Sequence, residues 1–156
     1  MALHPALAPV AALIGTWRGD GRGEYPTITP FRYTEELIFT DVDKPFLHYI
    51  QRTWSPTGEP MHTETGYLRV TAEQDVEFIL AQPTGQTELA EGSLTIRPAG
   101  LRIQTRARVL NAASAKRVEE TIRSLDLIDE ELETTFAMAA VGVPMTHHLR
   151  SVLHRS

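Results

Sequence analysis

Along most of the chain, apolar and polar residues alternate in short runs separated by turn residues. The clearest case is Leu101-Arg102-Ile103-Gln104-Thr105-Arg106-Ala107-Arg108, where odd positions are small or apolar and even positions polar or charged. A period of two puts one set of side chains on each face of a strand, so it predicts a half-buried strand. Leu132, Thr134, Phe136 and Met138 alternate with Glu131, Glu133, Thr135 and Ala137 in the same way. Nine strands are predicted on this basis, at 14–22, 32–40, 46–54, 61–71, 75–82, 86–96, 101–108, 117–127 and 131–140. The breaks carry turn chemistry at Asp43-Lys44-Pro45, Ser55-Pro56-Thr57-Gly58, Ala72-Glu73-Gln74-Asp75, Pro83-Thr84-Gly85 and Arg97-Pro98-Ala99-Gly100.

The two ends differ from this pattern. Residues Pro5 to Ile14 are apolar, contain two prolines and have no Lys or Arg ahead of them. They suit a short helix or turn that caps the fold better than a secretory signal. After Pro144 the period changes. At about 100° per residue, Met145, His148, Leu149, Val152 and Leu153 fall on one side, with His147, Arg150, Ser151 and His154 mostly on the other. This predicts a short amphipathic C-terminal helix that packs His148 against the rest of the fold. Short strands joined by tight turns imply an antiparallel meander, and closing it removes the exposed edges. The expected fold is all-β, a closed antiparallel barrel with a short C-terminal helix, forming one domain over residues 1–156. A barrel of roughly eight to ten strands is wide enough to hold one small ligand.

Composition narrows the chemistry. The chain of 156 residues is 42% hydrophobic and 22% charged, as a folded globular protein is. It has no cysteine, which excludes a disulfide scaffold, a zinc ribbon, a thiol enzyme, a Cys-ligated iron–sulfur centre and thioether-linked haem. A net charge of −5 argues against nonspecific nucleic-acid binding. No apolar run is long enough to cross a bilayer, so no membrane partner and a cytoplasmic location are expected.

Several catalytic motifs are absent. There is no Gly-x-Ser-x-Gly elbow and no Walker loop. Gly15, Gly19, Gly21 and Gly23 lack dinucleotide-binding spacing, and Pro26 follows where a helix would have to run. Glycines two apart lie on one face of a strand, where they permit a bend or the close approach of another group. The pairs Glu35-Glu36, Glu119-Glu120 and Glu130-Glu131 are expected on solvated faces. Of the six histidines, His148 stands out because it sits among apolar residues. A backbone carbonyl could satisfy it, or it could ligate a metal. His147-His148 is not a zinc pair, since adjacent helical residues diverge by about 100°. One imidazole beside a ligand-sized cavity suits haem, which brings four nitrogen ligands of its own.

Gly15-Thr16-Trp17-Arg18-Gly19-Asp20-Gly21 resembles the Gly-x-Trp-x-Gly-x-Gly signature of the nitrobindins, small haem-binding barrels. The resemblance continues through Gly23-Glu24-Tyr25-Pro26-Thr27-Ile28, Phe31-Arg32-Tyr33, Met61-His62-x-Glu64-x-Gly66-Tyr67, Ala81-Gln82-x-Thr84-Gly85 and Pro144-Met145-Thr146-x-His148-Leu149. It implies a ten-stranded barrel holding non-covalent, ferric haem b, with His148 as the axial ligand of the iron. Thr27, Phe31, Met61, His62, Gln82 and Met138 correspond to the family's pocket. It also implies reversible binding of nitric oxide and isomerisation of peroxynitrite to nitrate at the iron, with no protein residue needed as acid or base. A homodimer is left open, as is a role as nitric oxide sensor. The alternative is an intracellular carrier of a fatty acid or other apolar molecule. Such a carrier usually has an internal arginine for the carboxylate, whereas Arg102, Arg106 and Arg108 lie on the outward face of their strand.

Overall fold

The computed structural model describes residues 2–72 and 74–156, so Glu73 of the turn expected at 72–75 lies outside the described residues. A 3₁₀ helix at Pro5–Leu13 comes first. Ten strands follow: β1 (Gly15–Tyr25), β2 (Ile28–Asp41), β3 (Phe46–Trp54), β4 (Pro60–Ala72), β5 (Asp75–Gln82), β6 (Gln86–Arg97), β7 (Gly100–Asn111), β8 (Val118–Ile128), β9 (Glu131–Ala140) and β10 (Val143–Arg155). Each pairs antiparallel with the next, and β1 closes the barrel on β10 from Trp17↔Arg155 to Gly23↔Leu149. All nine expected strands are present. β1 and β2 run further than expected, to a turn at Pro26-Thr27, because the glycines of β1 hide its strand character from propensity.

The expected C-terminal helix is not there. Residues 143–155 form β10, the tenth strand. Two bulges interrupt its pairing with β9, one between Val143 and Thr146 and one between His147 and Leu149. Each bulge slips the alternation by one residue. The apolar positions 145, 148, 149, 152 and 153 therefore mimic a helical stripe, although the backbone is extended throughout.

The N-terminal segment caps the fold as expected. Leu7, Val10 and Leu13 of the 3₁₀ helix are fully buried against Trp17, Phe39, Leu47 and Leu68. Trp17 locks the segment in place. Its indole N–H donates to the Leu13 carbonyl at 2.9 Å. Arg155 stacks on the indole, 4.3 Å from the ring centroid, and donates to the carbonyls of Ala12 and Ile14 at 2.7 and 2.8 Å.

The glycine motif acts by close approach. A Cβ on Gly19 would lie 2.0 Å from the Val152 carbonyl oxygen, at the seam between β1 and β10. Cβ atoms on Gly21 and Gly23 would enter the rings of Tyr33 and Phe31 at 2.2 Å. The motif thus sets the seam and makes room for two aromatic rings inside the barrel. Gly19→Ala is expected to cost about 3 kcal/mol or more, the upper end for an overpacked core, because its neighbour is backbone and cannot turn aside. Chemical denaturation would measure it, and a cost below about 1 kcal/mol would contradict the seam argument.

Candidate functional site

One end of the barrel is closed by the 3₁₀ helix. The other opens between the turns after β1, β3, β5, β7 and β9. A cavity of about 920 Å³ runs inward from this mouth. His148, Thr27, Phe31, Met61, His62, Gln82 and Met138, the seven residues expected at the pocket, all line it. Thr27 and Met61 sit at the rim, Met61 with 47% of its surface exposed. His62 on β4 and Gln82 on β5 lie across the barrel from β10.

His148 is the extra residue of the second β9–β10 bulge, with no partner on β9 between His147↔Ala137 and Leu149↔Phe136. The extra residue lets His148 and its neighbour Leu149 both line the cavity, which strict alternation forbids. The bulged ladder is braced by Tyr25 from β1. Its hydroxyl accepts from the Ala140 amide at 3.1 Å and donates to the Met138 carbonyl at 3.0 Å. The rings of Tyr25, Phe136 and Phe31 surround the imidazole at 5.3, 6.0 and 6.3 Å between centroids. Phe31 takes that position because Gly23 has no side chain. Imidazole Nδ1 lies 2.9 Å from the Glu24 carbonyl oxygen. An oxygen acceptor there makes Nδ1 the protonated nitrogen and leaves the lone pair on Nε2. Burial lowers the His148 pKa, outweighing the Glu24 bond, and His147 lowers it further. The neutral imidazole that metals require is therefore the favoured form.

Below this level the cavity wall is polar. Arg123 of β8 donates through Nη1 to Glu64 Oε2 at 2.7 Å and through Nη2 to Glu88 Oε2 at 2.6 Å, with Nε 3.0 Å from Glu88 Oε1. Its guanidinium stacks on Phe136 at 4.6 Å. Tyr49 donates to Glu64 at 3.1 Å, Gln82 and Thr121 donate to Glu88 at 2.5 and 2.6 Å, and His62 Nε2 lies 3.3 Å from Glu64 Oε1. Burial pushes the Glu64 carboxyl up, but Arg123 and His62 more than offset it and hold its pKa at about 2. Burial likewise works against the charge of Arg123, and Glu64 and Glu88 overcome it, so the guanidinium is held charged. A second group surrounds Glu35. Ser151 donates to it at 2.5 Å and Gln51 Nε2 at 2.8 Å, while burial and then the nearby Glu64 raise its pKa.

These networks correct one expectation and add a residue that none of the expectations named. Glu35 is buried inside the barrel, and Glu36, facing outward, is buried beneath Arg18 at 2.5 Å, so that pair is not on a solvated face. An internal arginine also exists. It is Arg123, and the alternation running back from Leu127 and Leu125 pointed inward at it and at Thr121. Arg102 and Arg106 do face outward, paired with Asp126 and Glu120.

A closed ten-stranded barrel whose cavity is apolar near the mouth, polar below and lined by His148 and His62 has the architecture of a small-molecule binding barrel. The chain belongs to the family described as THAP4-like, heme-binding beta-barrel domain, whose model matches residues 6–155. The resemblance to the nitrobindins is thereby borne out. It is 48% identical over 157 residues to a protein of Nocardia farcinica named peroxynitrite isomerase, covering 99% of this chain and 94% of that one. It is 43% identical over 155 residues to peroxynitrite isomerase 2 of Mycobacterium marinum, covering 98% and 96%. The crystal structure of Rv2717c from M. tuberculosis superposes with a TM-score of 0.97 at 41% identity, covering 99% of both chains.

Proposed function

We propose that this chain holds non-covalent, ferric haem b through His148 and isomerises peroxynitrite to nitrate, binding nitric oxide at the same position. The observation that carries the reading is the state of His148, whose Nδ1 proton is engaged by the Glu24 carbonyl at 2.9 Å and whose Nε2 lone pair is left for a metal. The relatives named for this activity support it.

The residues present fit the group. Phe31, Phe136, Met138 and Leu149 offer apolar and aromatic contact to a flat macrocycle, while Lys116 and Arg117 at the mouth offer cations to its propionates. The cavity volume is of the size that holds one cofactor. When bound, haem would supply a ferric centre that acts as a Lewis acid toward peroxynitrite. The chain's own residues do the rest. The Glu24 carbonyl fixes the tautomer of His148 and makes its free nitrogen a better donor. Tyr25, Phe31 and Phe136 restrict rotation of the imidazole. His62, tied to Glu64, and Gln82, tied to Glu88, present polar groups from the opposite wall. The open mouth admits a small anion and lets nitrate leave. The proposed location is the cytoplasm.

The test is to mix haem-loaded protein rapidly with peroxynitrite and measure its decay and the ratio of nitrate to nitrite. Decay that accelerates with protein concentration and yields nitrate is expected. Decay unchanged from buffer would overturn the reading. Acid provides a second check. Because the His148 pKa is lowered, its nitrogen stays free as pH falls through about 6.5, where an exposed imidazole protonates. Haem loss, followed by the Soret band, is expected to have its midpoint below that pH, and a midpoint above it would contradict the assignment.

A further inference from the structure

The deep end of the cavity has a chemistry that a haem reading does not use. Glu35, Gln51, Glu64 and Arg123 line it. Four of the five N–H groups of Arg123 donate to Glu64 and Glu88, so its charge is already committed to two carboxylates. Glu35 meets only neutral donors, from Gln51, Ser151 and Thr134, and no cation. Gln51 is 5% exposed and gives its amide N–H to Glu35, which leaves its carbonyl oxygen buried without a partner. A buried acceptor without a donor is unfavourable, so this oxygen favours a ligand that brings a donor. Three carboxyl groups against one guanidinium make the chamber short of positive charge as well. Above it, Phe31, Phe136 and Leu149 form an apolar sleeve leading to the mouth.

We propose that this chamber is a subsite for a primary ammonium group, and that the barrel without haem takes up amphiphilic alkylamines, ammonium inward and hydrocarbon toward the mouth. An ammonium brings three donors and one positive charge. It meets the free oxygen of Gln51 and offsets the charge of Glu35 and Glu64. The upward pull on the Glu35 pKa comes first from burial and then from Glu64, both of which a cation would relieve. The same chamber rejects a fatty acid, whose carboxylate would face Glu35 and Glu64 with no free cation. The barrel shape of a lipid carrier is thus kept while the preferred head-group charge is reversed.

The experiment uses the full chain free of haem, so its outcome is independent of the haem assignment. Decylammonium, decanoate and decanol are titrated calorimetrically into the parent and into Glu35→Gln. Decylammonium is expected to bind at least about tenfold tighter than the other two, the scale of a close charge pair in a desolvated site. Glu35→Gln is expected to reduce that preference to about threefold or less. In the parent, the side-chain amide resonances of Gln51 should shift with decylammonium and not with decanol, a readout that needs no variant to fold. Equal affinity for the three ligands, a preference that survives Glu35→Gln, or Gln51 resonances unmoved by bound amine would each overturn the proposal.

Discussion

His148→Ala is expected to weaken haem binding by more than about a hundredfold, because losing only an outer partner of a metal-bound histidine costs about 10–100-fold. The parent mixed with ferric haem should give a shifted, intensified Soret band, and the variant should give the spectrum of free or loosely held haem. His147→Ala serves as the control, since His147 is exposed and does not line the cavity. Its Soret band should match the parent. Full haem affinity in His148→Ala would remove the axial assignment and leave the cavity as an apolar pocket alone. Peroxynitrite turnover should fall with haem occupancy in the same series.

The second large effect concerns stability. Arg123 has a side chain 13% exposed and stands between Glu64 and Glu88, at 5% and 0%. Arg123→Leu would leave two buried carboxylates without their cation, a change that costs about 3–5 kcal/mol. For a chain of this size that lowers the melting temperature by on the order of 10 °C. Adding Glu64→Gln and Glu88→Gln to Arg123→Leu should recover most of the loss, because the uncompensated charges go with the carboxylates. A loss below about 1 kcal/mol for Arg123→Leu would mean that water screens the network. The pair also sets an acid limit. The Glu64 pKa lies at about 2 against an ordinary 4.5, so its contribution is complete above the higher value and disappears as pH falls toward the lower.

Much of this was legible in the residues, and the failures have physical causes. Alternation located nine strands, since turn residues and a period of two survive in any register. The tenth was hidden by its bulges, which turned strand alternation into an apparent helical stripe. His148 does line the cavity, and it drew attention because an imidazole among apolar neighbours is unusual in either geometry. The reason it faces the cavity is the bulge at His147–Leu149, which no periodicity describes. The charged interior was misread because hydropathy assigns carboxylates to solvent. In β6 the register does the opposite, burying Glu88 to 2% while Leu89 is 59% exposed. Following alternation strictly from Ala90 would have found Glu88, as it would have found Arg123 from Leu125.

The seam between the first and last strands has a consequence for how the protein is made. β1 pairs early with β2 but finds its second partner only when β10 exists, and residues from Trp17 to Arg155 must then meet across nearly the whole chain. Synthesis at about 5–20 residues per second leaves the earlier strands waiting as an open, curling sheet for several seconds. Contacts so distant in sequence are slow to form, because the entropy of closing the loop is lost before the pairing is gained. His148 travels on the strand that arrives last. The imidazole that lines the cavity and the closed wall around it are therefore acquired in one event.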